Sequence, residues 1–436
     1  MRATFVHTAD NHLGYEQYGS RERFDDFAKA FLHVVEDAIA RNADFFVVSG
    51  DLFNKRAIDA LTLIQAREAL QRLADAGIPA IGIEGNHDRS YYRDGVSWLQ
   101  FLCYLGVLKL LNPVVREGAP EVAEWSQRTM QGLYVPLKDG RLRVYGLPWY
   151  GASTARVMRG FAESLAAARA EEDAAGVEYR VLLMHTGVEG MLPQLQGLPT
   201  RADFEPLRGL VDYVALGHVH KPYEVDNWLF NPGSTETWGA EESAWDRGYY
   251  AVRVDTDVAD GEPKHVAKHI TNPQRPFVRF SFKVDGLTDP TSFYDHFERL
   301  VRQQAREHAD TLDRKPVVDV ALTGVFAFAG ADIERARLEE IVKEHFHPLI
   351  ARIHDSARSN EYELDGVDDD DERADRQALE HRVFEDLLAR DARFQGQASE
   401  WASALSALKR MALEDESPEH IAMTLRDVRA RLLRQG

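Results

Sequence analysis

The sequence predicts an α/β protein that contains two or three domains. Its 436 residues exceed the length of one ordinary domain, and 44% of them are hydrophobic, which suits a globular protein. Short apolar segments alternate with longer helical patterns as far as about residue 255, as expected of βαβ units around a largely parallel core. Polar motifs directly follow several of the apolar segments, which indicates a functional edge where the strands end.

The first predicted strands are short, apolar and bounded by turn residues. They are Thr4–His7, Asp44–Ser49, Ala80–Glu84, Arg143–Gly146, Arg180–Met184 and Tyr213–Leu216. Amphipathic patterns over Phe24–Ala40 and Ala57–Ala76 predict helices between the first three strands. Trp228–Asn231 and Gly248–Val254 look like hairpin strands, so we expect mixed sheets in a domain that covers residues 1–270.

A second region begins after Asn272-Pro-Gln-Arg-Pro276, which is typical of a linker. Alternating strand and helix patterns predict a small βαβαβ cap domain over residues 275–356. The acidic run from Asp365 to Glu372 has nothing to bury, so residues 357–378 are expected to form a linker. Residues 379–436 carry apolar stripes at helical spacing and predict a helical tail that packs on itself or binds a partner.

The composition limits the class of protein. The net charge of −19 argues against a passive nucleic-acid binder, and the single cysteine, Cys103, excludes an internal disulfide. A metal-assisted enzyme that acts on phosphates remains compatible with this charge, because bound divalent cations supply local positive charge. The sequence contains neither a signal-peptide pattern nor an apolar run that could span a membrane, so we expect a cytoplasmic protein without a membrane partner.

Five polar motifs stand at the ends of predicted strands. They are Asp10-Asn-His12, Gly50-Asp51, Gly85-Asn-His-Asp88, His185 and Gly217-His-Val-His220. Because the carboxyl ends of parallel strands meet at one edge, these motifs would bring carboxylate, amide and imidazole groups to the same end of one sheet. A set of so many groups of these types is typical of a metal-binding site.

These residue types predict a pair of metal ions. Asp51 is expected to bridge them, because a carboxylate has two oxygens to share. Two groups of further ligands are predicted: Asp10, His12 and His220 at one ion, and Asn86, His185 and His218 at the other. Mixed oxygen and imidazole ligation suits manganese, iron or zinc and disfavours magnesium or calcium. Two such ions would activate a water for attack on a phosphate ester.

His87 is left over from the ligand set and is predicted to act in catalysis. Its neighbour Asp88 is expected to orient the His87 ring and hold it protonated, so that the ring stabilises the transition state or protonates the leaving oxygen. Each motif alone also has a structural explanation, since a histidine such as His185 after an apolar strand more often packs in a core. The five motifs together strongly favour the metal site.

The order of the motifs resembles that of the calcineurin-like metallophosphoesterases over about residues 1–255. This resemblance implies a β-sandwich with flanking helices for the first domain. Three longer stretches look like the double-strand-break repair nucleases of the meiotic-recombination-eleven type, in an archaeal-like form and related to the bacterial SbcD subunits. They are His7-Thr-Ala-Asp-Asn-His-Leu-Gly14, Gly50-Asp-Leu-Phe53 and Asn231-Pro-Gly-Ser-Thr-Glu236.

The resemblance implies a manganese-dependent DNA exonuclease and endonuclease with two manganese ions per subunit. Such enzymes form homodimers and act on DNA ends together with an SMC-like coiled-coil ATPase. The family pattern carries over to the seven predicted ligands, and its acidic-histidine role carries over to His87. One position departs from the pattern: the family commonly has Gly-Asp-Leu-Phe-His, whereas Asn54 follows Phe53 here, at a position implied to bind the substrate backbone.

The same resemblance implies two protein–protein surfaces. The family dimerises through helices after the second and third motifs, where Leu61, Trp98 and Leu102 are the main candidates, beside Ile64, Phe101 and Leu105. The C-terminal helices of the family grip the ATPase coiled coil. For that contact the tail offers the apolar residues Val383, Leu387, Ile421, Leu425 and Val428.

Two other functions fit parts of the sequence. A small-molecule phosphodiesterase or phosphatase would use the same metal ligands, but it has little use for a cap and a separate helical tail. A non-catalytic scaffold would not need intact ligands at all seven positions. The favoured hypothesis is therefore a two-metal nuclease that processes DNA ends in double-strand-break repair.

Overall fold

Two mixed six-stranded sheets form the centre of the computed structural model. The strands of the first sheet are β1 (Arg2–Thr8), β2 (Phe45–Val48), β3 (Ala80–Gly82), β4 (Lys109–Leu110), β13 (Gly248–Asp255) and β14 (His265–Thr271), in the order β14-β13-β1-β2-β3-β4. The strands of the second are β7 (Tyr134–Leu137), β8 (Leu142–Leu147), β9 (Tyr179–Met184), β10 (Tyr213–Leu216), β11 (Tyr223–Val225) and β12 (Leu229–Asn231), in the order β11-β12-β10-β9-β8-β7. A small hairpin, β5 (Val115–Arg116) and β6 (Ala119–Pro120), lies outside both sheets.

Helices cover the outer faces of the two sheets. The first sheet packs against α1 (Arg21–Ala40), α2 (Ala60–Asp75) and α3 (Trp98–Tyr104), and the second packs against α4 (Thr154–Ala174) and the short α5 (Arg201–Phe204). The first three helices begin at side-chain caps that accept from backbone amides, on Ser20, Asp59 and Ser97. The predicted α/β sandwich with flanking helices is confirmed.

Burial on both faces explains why the strands appear in the sequence as continuous apolar runs. Every residue of β2 is buried, with Phe45 and Val47 facing the second sheet and Phe46 and Val48 facing the helices. Aromatic rings fill the space between the sheets, where Phe5 stacks on Phe45 with ring centroids 4.7 Å apart. This packing fixes the position of each strand end.

The strand directions bring the five polar motifs together. β1, β2 and β3 are parallel neighbours in the first sheet, and β8, β9 and β10 are parallel neighbours in the second. Asp10, Asp51 and Asn86 therefore follow strands of one sheet, whereas His185 and His218 follow strands of the other. The expectation of one sheet edge is corrected: the motifs lie where the edges of two packed sheets meet.

The predicted βαβαβ region follows the sandwich. β15 (Phe277–Lys283), β16 (Val317–Thr323) and β18 (Ile350–Asp355) form a parallel three-stranded sheet with α6 (Pro290–Glu307) and α7 (Arg335–Phe346), and a two-residue strand, β17 (Val325–Phe326), follows β16. This region has its own apolar core. It belongs to the same compact unit as the sandwich, Met1–Arg358, so the boundary proposed between residues 270 and 275 stays a prediction.

The structure describes residues 1–90, 95–192, 195–259, 261–328, 332–355, 358–359, 381, 384–385, 388, 394–413 and 418–432. The second compact unit, Ser359–Gly436, contains helices Ala398–Leu413 and Pro418–Leu432, which pack on each other. Val383, Leu387 and the acidic run of residues 365–372 lie outside the described residues. Within the described part of the chain, no helix is long and apolar enough to cross a membrane.

Candidate metal centre

Two glycines allow the strand-end loops to approach each other closely. Gly50 has φ +89°, and a Cβ atom there would lie 2.3 Å from Nδ1 of His185. A Cβ atom on Gly85 would lie 2.1 Å from Oδ1 of Asp51. Any larger residue at either position would displace a polar side chain of the site. The polar side chains are therefore packed together by loops that only glycine permits.

Four of the predicted ligands adopt the left-handed backbone conformation that is uncommon outside glycine. Asp10, His12, Asp51 and His218 have φ values of 51°, 48°, 51° and 82°. Such conformations cost free energy and persist where the surroundings fix them, which is often at functional sites. Hydrogen bonds link two of these residues: the backbone N–H of His218 donates to both carboxylate oxygens of Asp10, at 3.1 and 2.9 Å.

The first predicted ligand group comes together as expected. The ligand atoms of Asp10, His12 and His220 all lie within 4.8 Å of one another. Nε2 of His12 lies 3.0 Å from Nε2 of His220, and Nδ1 of His12 is buried without a hydrogen-bond partner. Nε2 of His220 lies 3.9 Å from Oδ1 of Asp10. Imidazole nitrogens and a carboxylate thus converge on one point.

The second predicted group lies beside the first. Oδ1 of Asn86 is 3.1 Å from Nε2 of His185 and 3.0 Å from Nδ1 of His218. Nδ1 of His185 donates to the backbone carbonyl of Ser49 at 2.8 Å, which turns Nε2 toward the site. Nε2 of His185 is also 3.2 Å from Oδ2 of Asp51, and Asp10, Asp51 and His185 form another group within 4.8 Å. Asp51 therefore lies between the two groups.

His87 borders the same centre. Its ring lies 5.1 Å from that of His12, and one of its ring nitrogens, a ring nitrogen of His12 and a carboxylate oxygen of Asp51 all lie within 4.8 Å of one another. Nδ1 of His87 donates to the backbone carbonyl of Asn54 at 2.6 Å. The structure thus gives the orienting role to Asn54, and the expectation for Asp88 is corrected.

Asp88 instead ties two loops together. Its buried carboxylate accepts from the backbone N–H groups of Leu52 at 3.3 Å, Phe53 at 2.9 Å and Gly85 at 3.0 Å. These contacts commit the Asp88 carboxylate to the backbone of the two loops rather than to the His87 ring. Burial raises the pKa of Asp88 to about 7.

Burial and close charged neighbours together set the pKa values in the site. Burial raises the pKa of Asp10 to about 6 and lowers the pKa of His218 to about 4. Burial would also raise the pKa of Asp51, but the neighbouring His185 outweighs it, so the Asp51 pKa lies below its ordinary value. The pKa of His185 rises to about 9, because the attraction of Asp51 exceeds the opposing effect of burial.

The donor set fits divalent metal ions. It combines buried carboxylates, an amide oxygen and imidazole nitrogens, which are ligands for manganese, iron or zinc. A bound cation would offset the cost of burying two carboxylates, Asp10 and Asp51, and would use the nitrogens of His12 and His220 that face each other. We therefore treat the two groups around Asp51 as a candidate two-metal centre.

Sequence reasoning missed two side chains at this centre. Trp238 stacks on Tyr15 with ring centroids 5.4 Å apart, lies 5.5 Å from the His220 ring and donates its indole N–H to Oδ1 of Asn54 at 3.1 Å. Glu242 accepts from Nδ1 of His220 at 2.8 Å. Both follow β12 in a polar segment. That polar segment, directly after an apolar strand, was the one signal that could have revealed them.

The candidate dimer residues lie in different environments. Leu61 and Ile64 on α2 are 41% and 48% exposed, and Phe101 and Leu105, on and just after α3, are 38% and 48% exposed. Leu102 is fully buried in the core between α3 and the first sheet, so it has no surface to offer to a second copy. Trp98 is half-buried against the same core.

The candidate partner residues of the tail are only partly described. Leu425 is 44% exposed and Val428 is half-buried, both in helix Pro418–Leu432. Ile421 lies in the same helix. Met423 on this helix is also exposed, at 57%. The helix therefore keeps apolar surface outside its packing against helix Ala398–Leu413.

The fold and the strand-end motifs indicate a class of protein. The family model of the calcineurin-like phosphoesterases matches residues 3–222, which include all five strand-end motifs. The chain belongs to the calcineurin-like phosphoesterase family.

Curated relatives narrow this class. The chain is 31% identical over 355 residues to the DNA double-strand break repair protein Mre11 of Haloferax volcanii, a match that covers 80% of this chain and 67% of the relative. It is also 31% identical over 249 residues to the protein of the same name from Archaeoglobus fulgidus, covering 55% of this chain and 52% of the relative. Within the calcineurin-like phosphoesterases, the chain thus belongs to the Mre11 family, although it spans only about half of the Archaeoglobus relative.

Among solved structures, the calcineurin-like phosphoesterase YfkN from Bacillus subtilis is similar at a TM-score of 0.39 and 13% identity. The match covers 70% of this chain and 97% of that chain. This likeness is too remote to support any argument about function.

Proposed function

We propose that this protein is a two-metal nuclease that hydrolyses phosphodiester bonds of DNA at double-strand breaks. The observation that carries the proposal is the convergence of the two ligand groups on Asp51, with His87 beside them and oriented by a separate contact. The archaeal relatives are named as DNA double-strand break repair proteins, which supports DNA as the substrate.

Seven side chains would hold the two divalent ions. They are Asp10, His12, Asp51, Asn86, His185, His218 and His220. Manganese is the proposed metal, with iron or zinc as alternatives that suit the same ligands. When bound, two such ions would offset the charge of the phosphate and activate a water for in-line attack. The backbone amide of His218 and the loops around Gly50 and Gly85 keep the carboxylates in place before any ion binds.

His87 would act on the phosphodiester itself. Because its Nδ1 proton is engaged with the Asn54 carbonyl, the Nε2 atom is the one that faces the centre and can carry a second proton. From there a protonated ring would stabilise charge on the phosphate or give its proton to the leaving oxygen. Asp88 would support this arrangement indirectly, by joining the loop after β2 to the loop after β3.

The rest of the chain supports a macromolecular substrate. A cap region over residues 275–356 and a helical tail over 379–436 would serve DNA contact and the SMC-like ATPase partner, respectively. Exposed Leu61 and Ile64 support a homodimer, and exposed Leu425 supports partner binding through the tail. The side chain of Asn54 accepts from the indole N–H of Trp238, and this pair of side chains would contact a DNA strand that enters the centre.

A direct comparison of substrates tests the proposal. Purified protein with manganese is given linear duplex DNA in one reaction and a chromogenic phosphodiester in another. We expect cleavage of DNA at ends, with a kcat/KM far above that for the small diester. Efficient turnover of the small diester without DNA cleavage would instead support the small-molecule phosphodiesterase. The Asp51→Asn variant is the control, because any contaminating nuclease would survive that substitution.

A further inference from the structure

Glu242 lies directly behind His220, on the side away from the proposed metals. Nδ1 of His220 is 2.8 Å from Oε1 of Glu242, and Nε2 of the same ring is 3.0 Å from Nε2 of His12. A carboxylate oxygen can only accept, so the proton of the neutral imidazole is fixed on Nδ1. The lone pair of Nε2 is thereby directed into the first ligand group.

Glu242 is itself held by a buried arginine. The guanidinium of Arg247 is fully buried, and its Nη2 lies 3.3 Å from Oε2 of Glu242. Nη1 of Arg247 donates to the backbone carbonyl of His220 at 3.1 Å and to Oγ of Ser234 at 2.7 Å. One cation therefore fixes both the carboxylate and the main chain of the histidine that the carboxylate orients.

The partner of Nδ1 distinguishes His220 from the other two oriented imidazoles of the centre, His185 and His87. His185 and His87 donate from Nδ1 to neutral backbone carbonyls, of Ser49 and Asn54 respectively. Of the described Nδ1 hydrogen bonds of these three rings, that of His220 ends on a carboxylate. A carboxylate partner makes the imidazole a stronger electron donor than a carbonyl does, and the loss of such a partner commonly weakens metal binding by about 10–100-fold.

We propose that Glu242 is a positioning residue that fixes the tautomer of His220 and thereby sets the metal affinity of the first of the two sites. This inference rests on the proposed function, because it takes His220 to be a metal ligand. It assigns no contact between Glu242 and the substrate. Its consequence is that a charge outside the ligand set tunes the first site, whereas the Nδ1 contact of His185 in the second site is with a neutral carbonyl.

Manganese binding to the full chain tests the proposal without any substrate. Isothermal titration with MnCl2 is compared for wild type, Glu242→Ala, Glu242→Gln and His220→Ala. We expect Glu242→Ala to weaken one binding event by about 10–100-fold and to leave the other near the wild-type value. Glu242→Gln keeps an acceptor but loses the charge, so its loss is expected to be smaller. Glu241→Gln is the matched control, because Glu241 is the exposed neighbour in the same turn.

Two further measurements separate positioning from folding. Circular dichroism without metal shows whether each variant is folded; if Glu242→Gln leaves Arg247 unpaired and unfolds the chain, the double variant Glu242→Gln with Arg247→Gln removes both charges and takes its place. In wild type, ¹⁵N NMR of His220 is expected to show the Nδ1–H tautomer both in the metal-free protein and with diamagnetic Zn²⁺ bound, because Mn²⁺ is paramagnetic and would broaden the signal. The Nε2–H tautomer in the metal-free protein would overturn the proposal whatever the variants do.

The outcomes distinguish this inference from the proposed function. If His220→Ala leaves both manganese binding events unchanged, the ligand assignment itself fails. If His220→Ala removes one event while folded Glu242→Ala binds manganese as the wild type does, the positioning role of Glu242 fails and the metal centre stands.

Discussion

Nδ1 of His87 donates a hydrogen bond to the backbone carbonyl of Asn54 at 2.6 Å. The two residues belong to loops that follow β3 and β2, and the carboxylate of Asp88 joins the same loops through the backbone amides of Phe53 and Gly85. The orientation of the proposed catalytic ring is therefore set by the main chain at position 54. We therefore expect a different side chain at position 54 to leave the His87 ring in the same orientation.

Substitution of His87 is expected to separate catalysis from metal binding. His87→Gln removes a group that can carry a proton to the leaving oxygen, so kcat for DNA should fall by about 10²–10⁴-fold. Manganese binding, measured by calorimetry, should stay within a few-fold of wild type. Unchanged hydrolysis would show that His87 has no part in the reaction. A loss of one manganese ion would make it a ligand.

Substitution of Asn54 is expected to have a small effect on the chemical step. Asn54→Ala keeps the carbonyl that orients His87 but removes the acceptor of the Trp238 indole, a loss of about 1 kcal/mol in the free energy of unfolding. We expect kcat to stay within about threefold of wild type and KM for DNA to rise. A fall in kcat as large as that of His87→Gln would contradict a main-chain role for position 54.

An ion pair holds the linker after β14 against the sandwich. Arg275 donates from Nε and Nη2 to both carboxylate oxygens of Asp26 on α1, at 2.6 and 3.0 Å, and from Nη1 to the carbonyls of Arg314 and Lys315. Both partners are mostly buried, with side chains 15% and 11% exposed. Arg275→Ala would leave the Asp26 carboxylate short of a partner and should lower the free energy of unfolding by about 2–4 kcal/mol.

The control for this ion pair is Arg335→Ala. Arg335 pairs with Glu339 one helical turn away and is 69% exposed, so its loss should cost less than about 0.5 kcal/mol. Urea unfolding of the two variants at one pH gives the comparison. Equal effects of both substitutions would show that the linker contact adds nothing beyond a surface ion pair.

The buried His7 predicts a loss of stability in mild acid. Burial lowers the pKa of His7 to about 3, whereas the ordinary value is 6.5. As pH falls below 6.5, the unfolded chain takes up a proton that the folded chain excludes. The contribution of His7 to stability therefore falls by about 1.4 kcal/mol per pH unit until the pH nears the folded pKa.

A variant isolates this effect from the other titrating groups. His7→Gln retains a donor and an acceptor for Leu216 and Tyr213 but cannot be protonated. The difference in unfolding free energy between wild type and variant, measured in urea at pH 7, 6 and 5, should shrink steadily toward acid. A difference that stays constant over this range would mean that His7 is solvated in the fold.

Two leucines of the proposed dimer region should respond in opposite ways. Leu61 is exposed on α2, so Leu61→Asp should shift the protein from dimer to monomer in sedimentation velocity with little change in protomer stability. Leu102 is buried, so Leu102→Ala should cost about 2–5 kcal/mol of stability. Dimers that survive Leu61→Asp at micromolar concentration would exclude the α2 surface from the interface.

The convergence of the strand-end candidate ligands could be predicted because buried parallel strands leave a clear apolar signal and the polar residues follow it at once. The edge strand β14 was missed, since His265–Thr271 mixes charged with apolar residues and shows no such run. The partners of Glu242 and of the Asn54 carbonyl could not be predicted, because these contacts join segments that are 22 and 33 residues apart in sequence. The sequence did not distinguish buried Leu102 on α3 from exposed Leu61 on α2, because the packing of each helix decides which of its leucines faces inward.

Anomalous diffraction from crystals of the protein soaked in manganese would locate the metal ions of the proposed centre. We expect two manganese peaks per protomer, one among Asp10, His12 and His220 and the other among Asn86, His185 and His218, with Asp51 contacting both. A single peak, or two peaks of which neither contacts Asp51, would contradict the two-metal centre.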